Sequence, residues 1–360
     1  MTKDFGLAHV RAIAPYVGGR PISEVAREFG LDETKIVKLA SNENPLGMPE
    51  SAKNAMALAI ADLGRYPDSN GFELKNALAK KMGVPFEWIT LGNGSNDILE
   101  LTARAVAKEG DEVIFSKHAF AVYPLATQAV GAKAIEVPAK QYGHDLKAML
   151  AAVTPATRLI FVANPNNPTG TAVSISDIEE LAKATAAING LLVVDEAYAE
   201  FSNEKSAATL IAKYPNVLVS RTMSKAFAFA GVRLGYLAAN KTVIDALQLV
   251  RLPYHLSALT QAAAEVALDF QDELLAEVSK LAADRDLLAK ELTELGLVVI
   301  PSDANFILFG GFKASSHELW EKLLAKGVLI RDVGLAGYLR VTIGNEAENS
   351  EFLKALKGAL

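Results

Sequence analysis

The sequence predicts an α/β fold: a mostly parallel central sheet with helices on both faces in a large domain, followed by a smaller α+β domain. Three observations carry this. Between about residues 84 and 240, short apolar runs rich in β-branched residues alternate with helical stretches. Several of these runs are apolar on both faces, as strands buried between two helical layers are. The chain has 360 residues, more than the roughly 250–300 at which one hydrophobic core stops growing, which favours two packed domains.

Taken in order, residues 1–35 read as an extended arm interrupted by Pro and Gly, with one short helix over 21–29. The large domain is placed at 36–251, with strands at 88–91 (WITL), 111–115 (DEVIF), 133–137 (KAIEV), 158–162 (RLIFV), 191–195 (LLVVD), 216–220 (NVLVS) and 233–238 (RLGYLA). Helices fit between them at 95–108, 121–131, 145–152, 175–187 and 206–213, with Asp145 and Ser174 as N-caps. Residues 241–294 carry Ala and Leu at helical spacing and read as two or three long helices. After Gly296 the order becomes strand, strand, helix, strand, strand, helix, and the small domain is placed at 252–360, packing with the arm.

Composition removes several functions. With 36 Lys+Arg against 42 Asp+Glu the net charge is −6, which gives no general attraction to nucleic acid or to an anionic membrane. The absence of cysteine excludes disulfide scaffolds, Cys-ligated zinc and thiol nucleophiles, and fits a reducing cytosol. The five histidines, at 9, 118, 144, 255 and 317, have no ligand-like spacing, so no metal is expected. The N-terminal stretch lacks the apolar run of a signal peptide and no run approaches the ~18 apolar residues of a spanning helix. The expectation is a soluble, cytoplasmic protein.

Open parallel sheets bind ligands outside the carboxyl ends of their strands, and the polar residues of this chain collect there. After strand 88–91, Gly92-Asn93-Gly94-Ser95-Asn96-Asp97 opens a helix. Free backbone N–H groups and the helix dipole suit such a turn to phosphate, although a capped helix after a tight turn explains these residues equally. The dinucleotide fingerprint fails, because Asp97 stands where its third glycine belongs. After strand 158–162, Asn164-Pro165-Asn166-Asn167-Pro168-Thr169-Gly170 is a loop stiffened by two prolines. It is either an ordinary turn or a rigid mount for an amide facing a ligand.

Strand 191–195 ends in Asp195-Glu196-Ala197-Tyr198. A carboxylate behind four apolar residues is expensive to bury without a cation, unless it only caps a helix. After strand 216–220 comes Thr222-Met223-Ser224-Lys225-Ala226-Phe227-Ala228-Phe229-Ala230-Gly231-Val232-Arg233. Lys225 stands among small and apolar residues, where desolvation lowers an amine's pKa and makes it nucleophilic; Arg233 offers a fork for phosphate or carboxylate. One ligand suits the whole set: a phosphate, an aldehyde for Lys225, a phenolic oxygen for Asn167 and Tyr198, and a basic ring nitrogen for Asp195. Pyridoxal 5′-phosphate has those groups.

The motifs Asn-Pro-Asn-Asn-Pro-Thr-Gly, Asp-Glu-Ala-Tyr and Thr-Met-Ser-Lys-Ala-Phe-Ala-x-x-Gly resemble the signature of the fold type I aminotransferases, in the branch that contains histidinol-phosphate aminotransferase. More selective parts of the resemblance are Pro15-Tyr16, Leu39 to Gly47, Arg65-Tyr66-Pro67-Asp68, Arg331-Asp332 and Leu339 to Gly344. It implies Lys225 as the covalent anchor of pyridoxal phosphate, Asp195 at the ring nitrogen, and Asn167 and Tyr198 at the ring oxygen. It further implies Gly94, Ser95, Asn96, Thr222, Ser224 and Arg233 at the cofactor phosphate and Phe120 on the ring face. Tyr66 would reach the phosphate across a homodimer interface, and Tyr16, Arg331 and Arg340, with Asn167, would receive the substrate.

The activity implied is transamination of L-histidinol phosphate with 2-oxoglutarate in histidine biosynthesis, with an aromatic amino-acid aminotransferase or a phospho-amino-acid decarboxylase as the alternatives on the same cofactor set. Two departures from the family, Ser116-Lys117-His118-Ala119 before Phe120 and His255 after Pro253-Tyr254, are expected not to touch the cofactor set but to lie near where substrate preference is decided.

Overall fold

The computed structural model describes residues 6–360, so residues 1–5 of the expected arm lie outside the described residues. The strands described are β1 (Val37–Lys38), β2 (Ile89–Gly92), β3 (Glu112–Ser116), β4 (Lys133–Val137), β5 (Thr157–Ala163), β6 (Leu191–Asp195), β7 (Val217–Thr222), β8 (Gly235–Ala239), β9 (Val298–Ile300), β10 (Phe306–Gly310), β11 (Val328–Leu329) and β12 (Tyr338–Thr342).

Seven of these form the large sheet in the order β2-β8-β7-β6-β5-β3-β4. Successive side chains of a strand point to opposite faces, and here both faces are covered. Ile160, Val162, Leu192, Val194 and Val219 enter one core, while Leu159, Phe161, Val193 and Leu218 enter the other. That double burial is why the runs are apolar at every position. Each such side chain contributes about 1.5–3 kcal/mol by its removal from water, and truncating one of them, Phe161→Ala, would cost about 3–5 kcal/mol.

All pairs in the sheet are parallel except those of β8, which runs antiparallel to both β7 and β2. A parallel return needs a crossover, usually helical. The short chain between β7 and β8 forms no helix and turns back antiparallel. Helices Ser95–Val106, Val122–Ala129, Leu146–Ala151 and Ile175–Ala187 follow β2, β3, β4 and β5, while the crossover from β6 to β7 holds only the 3₁₀ turns Ala199–Phe201 and Ala207–Leu210. Asp145 caps its helix by accepting the Ala148 N–H at 3.0 Å, and Ser174 caps its own through the Asp177 N–H at 3.2 Å.

The stretch 206–213 departs from expectation: it forms only a 3₁₀ turn, Ala207–Leu210. Its first N–H, from Ala207, is held by Glu196 at 2.6 Å, which ties the segment to the turn after β6. The arm contains a second short helix, Ala8–Arg11, ahead of Ile22–Phe29.

Three helices follow β8: Lys241–Val250, Ala258–Asp269 and Gln271–Glu294. Ala263, Ala264 and Ala267 pack into the core on one face of the large sheet, whereas Leu288 and Leu292 enter a separate core with Ile307, Phe309, Leu323 and Phe352. Val278 and Leu281 of the longest helix lie in the first of these cores and Leu288 and Leu292 in the second, so that helix joins the two bodies. The second body is the antiparallel sheet β12-β10-β9 with helices Ser316–Ala325 and Glu346–Lys357, each opened by a capping box. The chain leaving the arm returns to it, because β1 pairs in parallel with β11. Among the described residues no helix is long and apolar enough to cross a membrane.

Candidate active site

The carboxyl ends of β2, β3, β5, β6 and β7 lie along one edge of the sheet, and the antiparallel β8 starts from the same edge. A cavity of about 330 Å³ opens there. It is lined by Tyr16, Ser95, Asn96, Phe120, Asn167, Asp195, Tyr198, Thr222, Ser224, Lys225, Arg233, Arg331 and Arg340, all singled out from the sequence. Arg233 thus reaches the site by preceding β8, not by following a strand.

The turn after β2 is built for close approach. Gly94 has φ +83°, and no side chain caps the helix that begins at Ser95. A Cβ on Gly94 would stand 2.2 Å from Nη2 of Arg233, and one on Gly235 would stand 2.3 Å from the carbonyl carbon of Gly94. Only glycine allows the two segments and the guanidinium to meet. Arg233 donates to the carbonyls of Ala230 at 3.0 Å and Asn93 at 3.3 Å. Thr222 Oγ1 accepts the Ser224 N–H at 3.1 Å and donates to the Leu234 carbonyl at 3.0 Å. Backbone N–H groups, two hydroxyls and a guanidinium converge on one side of the cavity, as anion sites require.

Asp195 closes β6 and is buried. Its Oδ2 accepts a hydrogen bond from the Tyr123 hydroxyl at 2.9 Å, while its Oδ1 has no partner. Burial raises its pKa to about 6, against the opposing pull of the Tyr123 hydrogen bond. A buried carboxylate oxygen without a partner, in a residue that lines a cavity, is costly unless a donor arrives.

Lys225 is half-buried, and its Nζ donates to the Ser41 carbonyl at 3.2 Å. Burial first, then the nearby Arg340 charge, lowers its pKa to about 8. Tyr198 is buried beside it, 5.9 Å from Nζ to ring centre. The Tyr198 oxygen accepts from Asn42 Nδ2 at 2.9 Å, which leaves its own hydrogen for the cavity. Burial pushes the Tyr198 phenol up to about 12, so it stays protonated.

Arg340 is buried against the Phe306 ring, 5.0 Å from its centre. It donates to Asn167 Oδ1 at 2.6 Å and to the Ala40 carbonyl at 2.8 Å, while its Nε has no partner. Asn167 is thereby oriented with its amide nitrogen free. Arg331 is bridged to Arg340 through both backbones and donates to the Val17 carbonyl at 2.7 Å, which fastens the arm over the cavity. Phe120 meets Tyr123 edge to face, 5.9 Å between ring centres.

Gly94 underlies the cavity without lining it. Tyr66 is not in the cavity: it is 80% exposed and stacks on Tyr254 at 4.5 Å. His255 also does not line it, since its Nε2 meets the Leu91 carbonyl at 2.9 Å. In the other departing segment Ala119 lines the cavity, beside the cofactor set, whereas Ser116 turns away to His144 at 2.7 Å. Three groups of the site were not foreseen: Ser41, Asn42 and Tyr123. Among the described residues no three His, Cys, Asp or Glu side chains are grouped to hold a metal.

A sequence model of aminotransferase class I and II matches residues 34–356. The chain belongs to this aminotransferase family. The aminotransferase is 52% identical over 365 residues to histidinol-phosphate aminotransferase 1 of Cupriavidus pinatubonensis, covering 99% of this chain and 96% of that one. It is also 52% identical over 369 residues to histidinol-phosphate aminotransferase 2 of Ralstonia nicotianae, covering 100% of this chain and 98% of that one. Its fold matches the crystal structure of histidinol-phosphate aminotransferase from Sinorhizobium meliloti in complex with pyridoxal-5′-phosphate. The TM-score is 0.88 at 28% identity, over 99% of this chain and 98% of that chain. The aminotransferase thus has the fold type I architecture that its motifs resemble.

Proposed function

We propose that this chain transfers an amino group from L-histidinol phosphate to 2-oxoglutarate, giving imidazole acetol phosphate and L-glutamate, with pyridoxal 5′-phosphate as cofactor. The observation that carries the proposal is the cavity. It sets a desolvated amine, a buried carboxylate with one free oxygen, and an arginine with an unpartnered Nε around one space, in a chain 52% identical along its length to a histidinol-phosphate aminotransferase.

The residues fit the cofactor. The free Oδ1 of Asp195 needs a donor, as a protonated ring nitrogen provides. The cradle of Gly94, Ser95, Asn96, Thr222, Ser224 and Arg233 suits its phosphate, the free hydrogens of Asn167 Nδ2 and Tyr198 suit its phenolic oxygen, and Phe120 suits its ring face. When bound, pyridoxal phosphate supplies an aldehyde that condenses with amines and a protonated ring that takes up the electron pair left at the substrate Cα.

The chain does the rest. Lys225 Nζ would anchor the cofactor and, once released, would take the proton from the substrate Cα and deliver it to the cofactor's aldehyde carbon, a task suited to an amine whose pKa is about 8. Asp195 holds the ring proton on nitrogen by its negative charge. Arg340, with Arg331 and Tyr16 at the rim, receives a phosphate in one half-reaction and a carboxylate in the other. Two guanidinium forks serve both anions.

Because Tyr66 is exposed and lies outside its own cavity, its part at the phosphate requires a second copy, and the proposal includes a homodimer with shared sites. It also includes an arm (1–35), a large domain (36–251) and a small domain (252–360) whose first helix, Ala258–Asp269, packs into the core of the large sheet, and a cytoplasmic setting that suits a chain without cysteine. Steady-state turnover tests the substrate: histidinol phosphate should exceed phenylalanine in kcat/KM with 2-oxoglutarate as acceptor. The reverse order would assign an aromatic amino-acid aminotransferase.

A further inference from the structure

Asp195 has two oxygens and the structure uses them differently. Asp195 lines the cavity; its Oδ1 is buried without a partner, and its Oδ2 accepts from Tyr123 at 2.9 Å. Tyr123 itself has no other freedom. It is fully buried on helix Val122–Ala129, its ring stacks on Phe161 at 4.8 Å with planes 3° apart, and Phe120 and Phe115 close on it from two further sides. Burial and the facing carboxylate raise its pKa well above the ordinary phenol value, so it is a permanent donor. The other ionisable groups acting on Asp195 are Glu196, next in the chain, and Tyr198.

We propose that Tyr123 is a positioning residue for the amino transfer: by donating to Oδ2 it aims Oδ1 of Asp195 at the cofactor ring and draws charge from the carboxylate. The inference rests on the proposed pyridoxal-phosphate chemistry. A proton shared between a carboxylate and a ring nitrogen goes to the stronger base. Without the phenol the carboxylate becomes that stronger base, the proton moves to oxygen, and the ring loses its capacity to take up electrons. With the phenol in place the proton stays on nitrogen. No bond to Tyr123 forms or breaks in the cycle, and it does not touch the reacting atoms.

Tyr123→Phe removes only the hydroxyl. In the holoenzyme loaded with cofactor ¹⁵N-labelled in the ring, the ring-nitrogen signal is expected to move toward that of an unprotonated pyridine. With it, kcat should fall roughly ten- to hundredfold, the worth of one hydrogen bond to a charged group, while KM for either substrate stays within about twofold. A nitrogen signal and kcat at wild-type values would overturn the proposal. Replacing Tyr123 by 3-fluorotyrosine, a stronger donor of the same shape, should keep the signal at the wild-type position or further toward the protonated form; a loss there would equally overturn it. If wild type binds no pyridoxal phosphate, the functional reading fails, which is a separate result. Urea unfolding of the cofactor-free variants establishes that they are folded.

Discussion

Asp195→Asn is expected to stabilise the cofactor-free protein at neutral and alkaline pH while removing most of its activity. Asparagine keeps the size of the side chain and an oxygen to accept from Tyr123, and removes only the buried charge. In the folded protein the carboxyl pKa stands at about 6 instead of 3.8, because burial disfavours the charged form. At about 1.4 kcal/mol per pH unit, the charge costs the folded state roughly 3 kcal/mol.

The sign follows from proton binding. An acid whose pKa is raised by folding holds its proton more tightly in the folded state, so the cost is full above about pH 6 and fades as pH falls toward 3.8. Urea unfolding of the two cofactor-free proteins, at one fixed protein concentration so that any self-association contributes equally, should show the asparagine variant more stable. The gap should be roughly 3 kcal/mol near pH 8, shrinking to about 1 kcal/mol near pH 4.5. Turnover should fall about 10²–10⁴-fold, since removing one partner of a buried charge pair costs about 3–5 kcal/mol. A variant no more stable than wild type at pH 8, or one within about tenfold of its activity, would refute the reasoning.

Two further outcomes follow from the same cavity. Because burial and Arg340 hold the Lys225 amine at about 8, the rate at which cofactor-free protein captures pyridoxal phosphate should rise with pH and level off just above 8; a rate still climbing toward 10.5 would remove the case for desolvation. Arg340 is buried with an unpartnered Nε, whereas Arg331 is only half-buried at the rim. Single turnovers followed by cofactor absorbance should therefore find Arg340→Ala damaging both half-reactions and Arg331→Ala damaging histidinol phosphate more than glutamate. A phosphate carries more charge and one more acceptor oxygen than a carboxylate, and equal losses from Arg331→Ala would rule out this division.

Much of the fold and site is legible in the sequence because double burial and strand-end chemistry leave local marks. Leu191 to Val194 is apolar at each position and ends in Asp195, and that pattern alone predicts a strand, its depth and an expensive carboxylate. Lys225 is legible from the small and apolar residues around it. What is not legible comes from contacts distant in sequence. Asn42 serves the site through Tyr198, 156 positions away, with its backbone at φ +54°, and no local pattern announces it. Tyr123 reads as one more apolar helix residue until its hydroxyl is traced to Asp195, although a buried tyrosine always needs a partner and that requirement was the available signal. The stretch 206–213 has helical composition but forms only the 3₁₀ turn Ala207–Leu210, tied by Glu196 to the turn after β6, a tertiary contact that composition does not encode. Tyr66 stands exposed outside the cavity of its own chain, a placement that its local motif does not reveal.

If the strand-end cavity holds pyridoxal phosphate on Lys225, borohydride treatment of the loaded protein, followed by proteolysis and peptide mapping, will show it. A yellow protein and a single reduced cofactor adduct, on Lys225, are expected. An adduct on any other lysine, or no cofactor absorbance after reconstitution, would contradict that placement.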